Sequence, residues 1–168
     1  MFIYKIIWKE SIMDTIDLKI LSILQEDASP SLSDIATRVG LSQTPCWKRI
    51  QRMESKGIIL RRVALLSPEA LGFGLTVYVS IITGEHSEKW LTEFTQKVRE
   101  MPEVIEFFRL AGDVDYMLRV VVPNIEQFDK FYKRLISIAP IKKVTSHFAM
   151  EKIKSTTALP LITKDTKS

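Results

Sequence analysis

The sequence predicts an α+β chain of two domains, a helical amino-terminal one and a carboxy-terminal one of order β-α-β-β-α-β. Three observations carry that reading. Residues 14–57 hold three segments with apolar residues at helical spacing, separated by Pro30 and Gly40. Residues 75–152 instead mix strand-like runs with two helical ones, divided by Pro102, Gly112, Pro123 and Pro140. The charge divides in the same place. Residues 42–62 carry six bases (Lys48, Arg49, Arg52, Lys56, Arg61, Arg62) against the one acid Glu54, whereas the whole 168-residue chain carries only +4. Residues 67–150 are nearly neutral, with ten bases and eleven acids.

The first helix is expected over about Asp14–Gln25. Asp14 or Thr15 can cap it, and Ile16, Ile20, Leu21, Ile23 and Leu24 share one face. Pro30 cannot continue that helix. Ser31 followed by Asp34 has the form of a capping box for a second helix, Leu32–Val39. Gly40 supplies a tight turn, Ser42 caps a third helix, and Pro45 sits in its first turn, where a missing N–H is harmless. In that helix Cys46, Ile50 and Met53 face inward, while Lys48, Arg49, Arg52 and Lys56 share the outer side. Gly57 ends it, and IILRRVALL reads as a strand. Helix, glycine turn, helix and β-wing make a winged helix-turn-helix over residues 13–66. The bland alternative is a small helical domain with a solvated basic face; caps, turn and charge together favour the first.

Residues 67–74, with Pro68, Gly72 and Gly74, read as a linker, and residues 75–168 as the second domain. Its strands are expected at Leu75–Thr83, Val104–Ala111, Tyr116–Val122 and Lys142–Lys152, and its helices at Ser87–Glu100 and Ile125–Ile138. That order is the ferredoxin-like split motif, an antiparallel sheet with two helices on one face. The open face is partly apolar, which calls for a second copy to cover it.

Composition excludes several classes. The chain is 46% hydrophobic and 26% charged, ordinary for a globular protein, and the single Cys46 permits no internal disulfide framework. With His86 and His147 as the only histidines, no Cys/His metal spacing exists and neither supports a metal site. The lone cysteine suits a reducing, cytoplasmic setting, and no run reaches the roughly 18 apolar residues that span a bilayer, so no membrane partner is expected. The opening MFIYKIIWKESI, residues 1–12, reads either as a mis-called translation start or as a loosely attached extra strand.

The residues IDLKILSILQEDAS, VGLSQTPCWKRIQRME, GDVDYML and TTALPL together resemble the Lrp/AsnC family of bacterial and archaeal regulators, over about Asp14–Ile162. The resemblance implies DNA binding through the amino-terminal winged helix and sensing of a small molecule, usually an amino acid, through the carboxy-terminal domain. It also implies dimers formed through that domain and further assembly to octamers, and it leaves residues 1–12 outside.

For a double-stranded DNA partner, Ser42, Gln43, Thr44 and Pro45 stand at the end of the recognition helix that meets base edges first, and Gln suits a bidentate pair with adenine. Lys48, Arg49 and Arg52 lie further along, in reach of phosphate or guanine, and Arg61 and Arg62 on the wing suit phosphates. Ser42 can cap and touch phosphate at once. Trp47 reads either as packing against the wing or as stacking on a sugar. Cys46 reads as a small core residue.

For the amino-acid effector, Gly112, Asp113, Asp115 and Tyr116 form a turn whose carboxylates suit an ammonium group. An ordinary Gly-Asp turn explains the same residues. The resemblance implies that this loop and the segment carrying Thr156 and Thr157 form the effector pocket. Val114, Met117 and Leu118 then suggest an apolar ligand such as leucine or methionine. No cofactor is expected beyond the effector, and no catalytic residues are identified. Two alternatives stand beside this reading: a nucleoid-associated architectural protein without an obligatory effector, and a haem-pathway decarboxylase with a vestigial helix-turn-helix. The intact basic helix and the lone His147 weigh against the second.

Overall fold

The computed structural model describes residues 13–85 and 87–161 in two compact units. One runs to Ala64 and takes in the tail from Lys154, and the other spans Leu65–Ile153. Residues 1–12, read above as a start artefact or extra strand, and His86 lie outside the described residues.

The first unit is three helices, α1 (Thr15–Glu26), α2 (Leu32–Arg38) and α3 (Gln43–Ser55). Asp14 caps α1 in a reciprocal box: its Oδ1 accepts from the Asp17 N–H at 2.9 Å, and Asp17 Oδ2 accepts from the Asp14 N–H at 3.1 Å. Ser31 and Asp34 form the expected box on α2. Each box satisfies two backbone donors that the start of a helix leaves orphaned. Gly40, at φ 71°, and Gly57, at φ 67°, close α2 and α3 in the left-handed backbone that glycine adopts without strain. After each, the next N–H reaches back five residues, Leu41 to the Ala36 carbonyl and Ile58 to that of Met53. Ile20, Ile35, Ala36, Cys46, Ile50 and Met53 make the buried core, as the helical spacing requires.

Two expectations fail here. The strand expected after Gly57 does not form: Ile58 and Ile59 direct their N–H groups to the Met53 carbonyl, and Leu60–Leu66 is exposed without a ladder. Apolar, β-prone residues make a strand only beside a second one. The last strand is also shorter than expected. The tail from Lys154 packs with the helical unit. Gln25 holds it there, its Nε2 donating to the Leu159 carbonyl at 3.0 Å and its Oε1 accepting from the Leu159 N–H at 2.9 Å.

The second unit contains β1 (Leu75–Ile82), α4 (Glu88–Arg99), β2 (Val104–Arg109), β3 (Tyr116–Val122), α5 (Ile125–Ser137) and β4 (Lys143–Phe148). All pairings are antiparallel, in the order β2-β3-β1-β4. Ser87 and Asn124 cap the two helices with their side chains. Val77, Val79 and Ile81 of β1 and Tyr116, Leu118, Val120 and Val122 of β3 join Trp90, Phe94 and Val98 of α4 and Phe128, Phe131 and Leu135 of α5 in one core. Both helices therefore cover the same sheet face. A register irregularity between Val104 and Glu106 leaves Ile105 exposed.

The register puts Tyr78, Ser80, Phe108, Met117, Arg119, Val121 and His147 on the opposite face. There Phe108 is 52% exposed and Tyr78 41%. An Arg119–Glu106 ion pair at 2.9 Å lies among them.

Candidate nucleic-acid interface and effector loop

Helix α3 stands on α1 and α2 through Cys46, Ile50 and Met53, each at most 3% exposed. This orientation leaves Gln43, Thr44, Pro45 and Lys48 exposed at its amino-terminal half. Ser42 occupies the cap position, with φ −76° and ψ 164°, but its hydroxyl makes no cap hydrogen bond. The expected side-chain cap is thus absent, and the Ser42 side chain is exposed beside Gln43 and Thr44. Arg61 is exposed, and Arg62 bonds Glu54 on α3 at 3.1 Å, which ties the segment after Gly57 back to the helix. Trp47 is half exposed and borders a groove of about 340 Å³ floored by Ile35 and Ile50. Burial pushes the Cys46 thiol up, as suits a core residue.

Arg49 and Arg52 are not where the helical wheel alone put them. Both turn toward the start of α1. Arg49 Nη1 donates to Asp17 Oδ1 at 2.8 Å and to Asp14 Oδ2 at 2.6 Å, and Arg52 Nη2 donates to Asp17 Oδ2 at 2.5 Å. The Asp17 side chain is 1% exposed, so it accepts three donors in the interior: two guanidiniums and the Asp14 N–H. Asp17 followed the cap by three places, which is the capping-box signature, but its burial required knowing that α3 lies across α1. The Asp17 N–H and then the Arg49 guanidinium hold the Asp14 carboxyl below its ordinary value. The two carboxylates, Asp17 first, raise Arg49 in turn.

In the second unit the Gly112–Tyr116 turn divides by role. Gly112 takes φ 147°, where a side chain would be strained, and Asp113 is exposed. Asp115 Oδ2 accepts from the Thr83 N–H at 2.6 Å and the Thr83 hydroxyl at 3.0 Å, which fastens the turn to the end of β1. Tyr116 is not on the loop surface: it is 2% exposed, faces Phe94 and Phe107, and burial pushes its phenol up. It pairs with Ile81 on the core face, so strand alternation excludes it from an exposed ligand contact. The same alternation separates Leu118, in the core, from Met117, on the open face, so the two do not line one cavity.

Thr156 and Thr157 belong to the helical unit, where the Thr156 hydroxyl accepts from the Ala158 N–H at 3.0 Å. A single unit therefore does not gather Thr156 and Thr157 with Gly112 and Asp113. The sequence also held no signal for a groove of about 660 Å³ between the end of α5 and β4, bordered by Tyr132, Ile136 and Lys142. Among the described residues, no helix is long and apolar enough to cross a membrane.

A helix-turn-helix with an exposed polar recognition end, joined to a split βαββαβ unit, defines a class of DNA-binding proteins with a separate sensing domain. Residues 13–59 match the winged helix-turn-helix DNA-binding family, and residues 76–159 match the Lrp/AsnC ligand binding domain. The chain is 50% identical over 150 residues to the DNA-binding transcriptional activator DecR of Escherichia coli K12, covering 89% of this chain and 99% of the relative. The crystal structure of an AsnC family transcriptional regulator from Agrobacterium tumefaciens superposes with TM-score 0.86 at 58% identity, covering 89% of this chain and 97% of the other. A transcriptional regulator from Neisseria meningitidis, in complex with L-Met, superposes with TM-score 0.85 at 34% identity, with the same two coverages. The chain belongs to the Lrp/AsnC family. It is a DNA-binding transcriptional regulator with a ligand-binding domain, and the relatives are regulators rather than enzymes.

Proposed function

We propose that this regulator reads specific DNA sequences in the cytoplasm and that its second unit binds an amino acid with an apolar side chain, with no further cofactor. The observation that carries the first half is the exposed Ser42-Gln43-Thr44 end of α3. Side chains there suit base edges, whereas a purely architectural binder needs only cations for phosphates. The L-Met complex of the Neisseria relative supports an amino-acid ligand of methionine type. Gly112, Asp113, Thr156 and Thr157 are its candidate contacts, in a pocket at the interface between dimers. The ligand acts by favouring one assembly over another, a coupling commonly of about 1–3 kcal/mol.

The open sheet face supports a homodimer that assembles further toward octamers. Phe108 and Tyr78, half exposed beside Met117 and Val121, are expensive to leave in water. Phe108→Asp is expected to lower the sedimenting mass to that of a monomer and to weaken DNA binding with it. A variant that sediments as the parent does would remove this face from the interface.

A further inference from the structure

We propose that Asp17 is a positioning residue for DNA reading: it serves as the internal counter-ion of α3 and sets how many of that helix's cations reach phosphate. The proposal rests on α3 being the helix that meets DNA. Its basis is the geometry around one carboxylate. Asp17 is 1% exposed and holds Arg49 at 2.8 Å and Arg52 at 2.5 Å, so two of the bases nearest the recognition end are already ion-paired within the helical unit. Arg49 is held twice, since Asp14 takes it at 2.6 Å as well.

Arg52 is the informative partner. Its side chain keeps 42% exposure, so once released it can reach solvent and a phosphate. Lys48, by contrast, is exposed on the outer side of α3.

The consequence is a division of labour within one helix. Phosphate contacts supply affinity without sequence information, and each adds to non-specific binding on competing DNA. A buried acid that withdraws two cations lowers that background while fixing α3 on α1. The exposed Ser42, Gln43 and Thr44 are thereby presented in a constant register.

The test is the salt dependence of binding to random-sequence duplex DNA, which a merely structural role leaves untouched in a folded variant. Each phosphate contact contributes about 0.9 to the slope of log K against log salt. Arg52→Gln keeps Asp17 paired with Arg49, and is expected to leave the slope unchanged. Asp17→Asn is expected to steepen it by about one contact, which is about a 3.5-fold greater loss of affinity between roughly 50 and 200 mM salt. The double variant Asp17→Asn/Arg52→Gln is expected to return to the parent slope. Lys48→Gln is expected to lower it by about 0.9.

Should Asp17→Asn fail to fold, the Arg52→Gln and Lys48→Gln arms decide. Equal falls in both show that Arg52 touches phosphate, and overturn the counter-ion role alone. No change in either takes α3 off the DNA and overturns both readings. A folded Asp17→Asn with the parent slope also overturns the counter-ion role.

Discussion

Arg49→Ala/Arg52→Ala is expected to lower the stability of the helical unit by about 3–5 kcal/mol, far more than the loss of two surface bases would. The reason is an asymmetry. Asp17 is 1% exposed beside the two guanidiniums, and once both are gone the Asp14 N–H is the donor left to its carboxylate among the described residues. Removing Asp17 itself is milder, about 1–3 kcal/mol for Asp17→Ala, because Arg52 rehydrates and Arg49 retains Asp14. Either arginine changed singly leaves the other on Asp17, and the cost is expected to be smaller and non-additive. Denaturant unfolding of the intact chain, followed by helical circular dichroism, reads the difference. An unchanged midpoint in the double variant would mean that the ion pairs add nothing to the fold and that both arginines are free to serve DNA.

Phe94→Ala is expected to cost the second unit about 3–5 kcal/mol, enough to lose much of its folded population. Phe94 is fully buried and is the aromatic hub of α4 against the sheet. It stacks on Trp90 at 4.7 Å between centroids, and meets Tyr116 at 5.4 Å and Phe107 at 6.1 Å. Truncation opens a cavity among large rings that cannot collapse to fill it, and forfeits the aromatic pair energies as well. Ile125→Ala on α5 serves as the control: at 62% exposure it is expected to change stability by no more than about 0.5 kcal/mol. Because the chain has two units, two transitions are expected, and only the one from the βαββαβ unit should shift. Equal effects of Phe94→Ala and Ile125→Ala would contradict the packing described.

Local chemistry made most of the fold legible. Ser31 with Asp34, Gly40 and Gly57 act over three to five residues, and the structure keeps each in its expected role. Strand β3, with buried and half-buried residues in alternation, spans the expected Tyr116–Val122. What failed depended on partners remote in sequence. IILRRVALL has strand composition, yet no strand lies beside it among the described residues, and Met53 captures its first two N–H groups.

The bond from Gln25 to Leu159, 134 positions away, likewise had no signal in the sequence. At the candidate site, the exposure of Gln43, Thr44 and Lys48 was readable from the periodicity of Cys46, Ile50 and Met53. The capture of Arg49 and Arg52 was not, because a helical wheel gives a direction without saying what stands opposite. Tyr116 was grouped with its loop by proximity, whereas the register with Ile81 makes it core.

The measurement that tests the central claim most directly is a mobility shift of the intact protein on its own upstream DNA, under excess random competitor, with and without a pool of amino acids. Discrete complexes that survive the competitor and change when the pool is added are the predicted result, and dividing the pool then identifies the ligand. Complexes that vanish under competitor whatever the pool contains would contradict the account, and would make the chain a non-specific architectural binder.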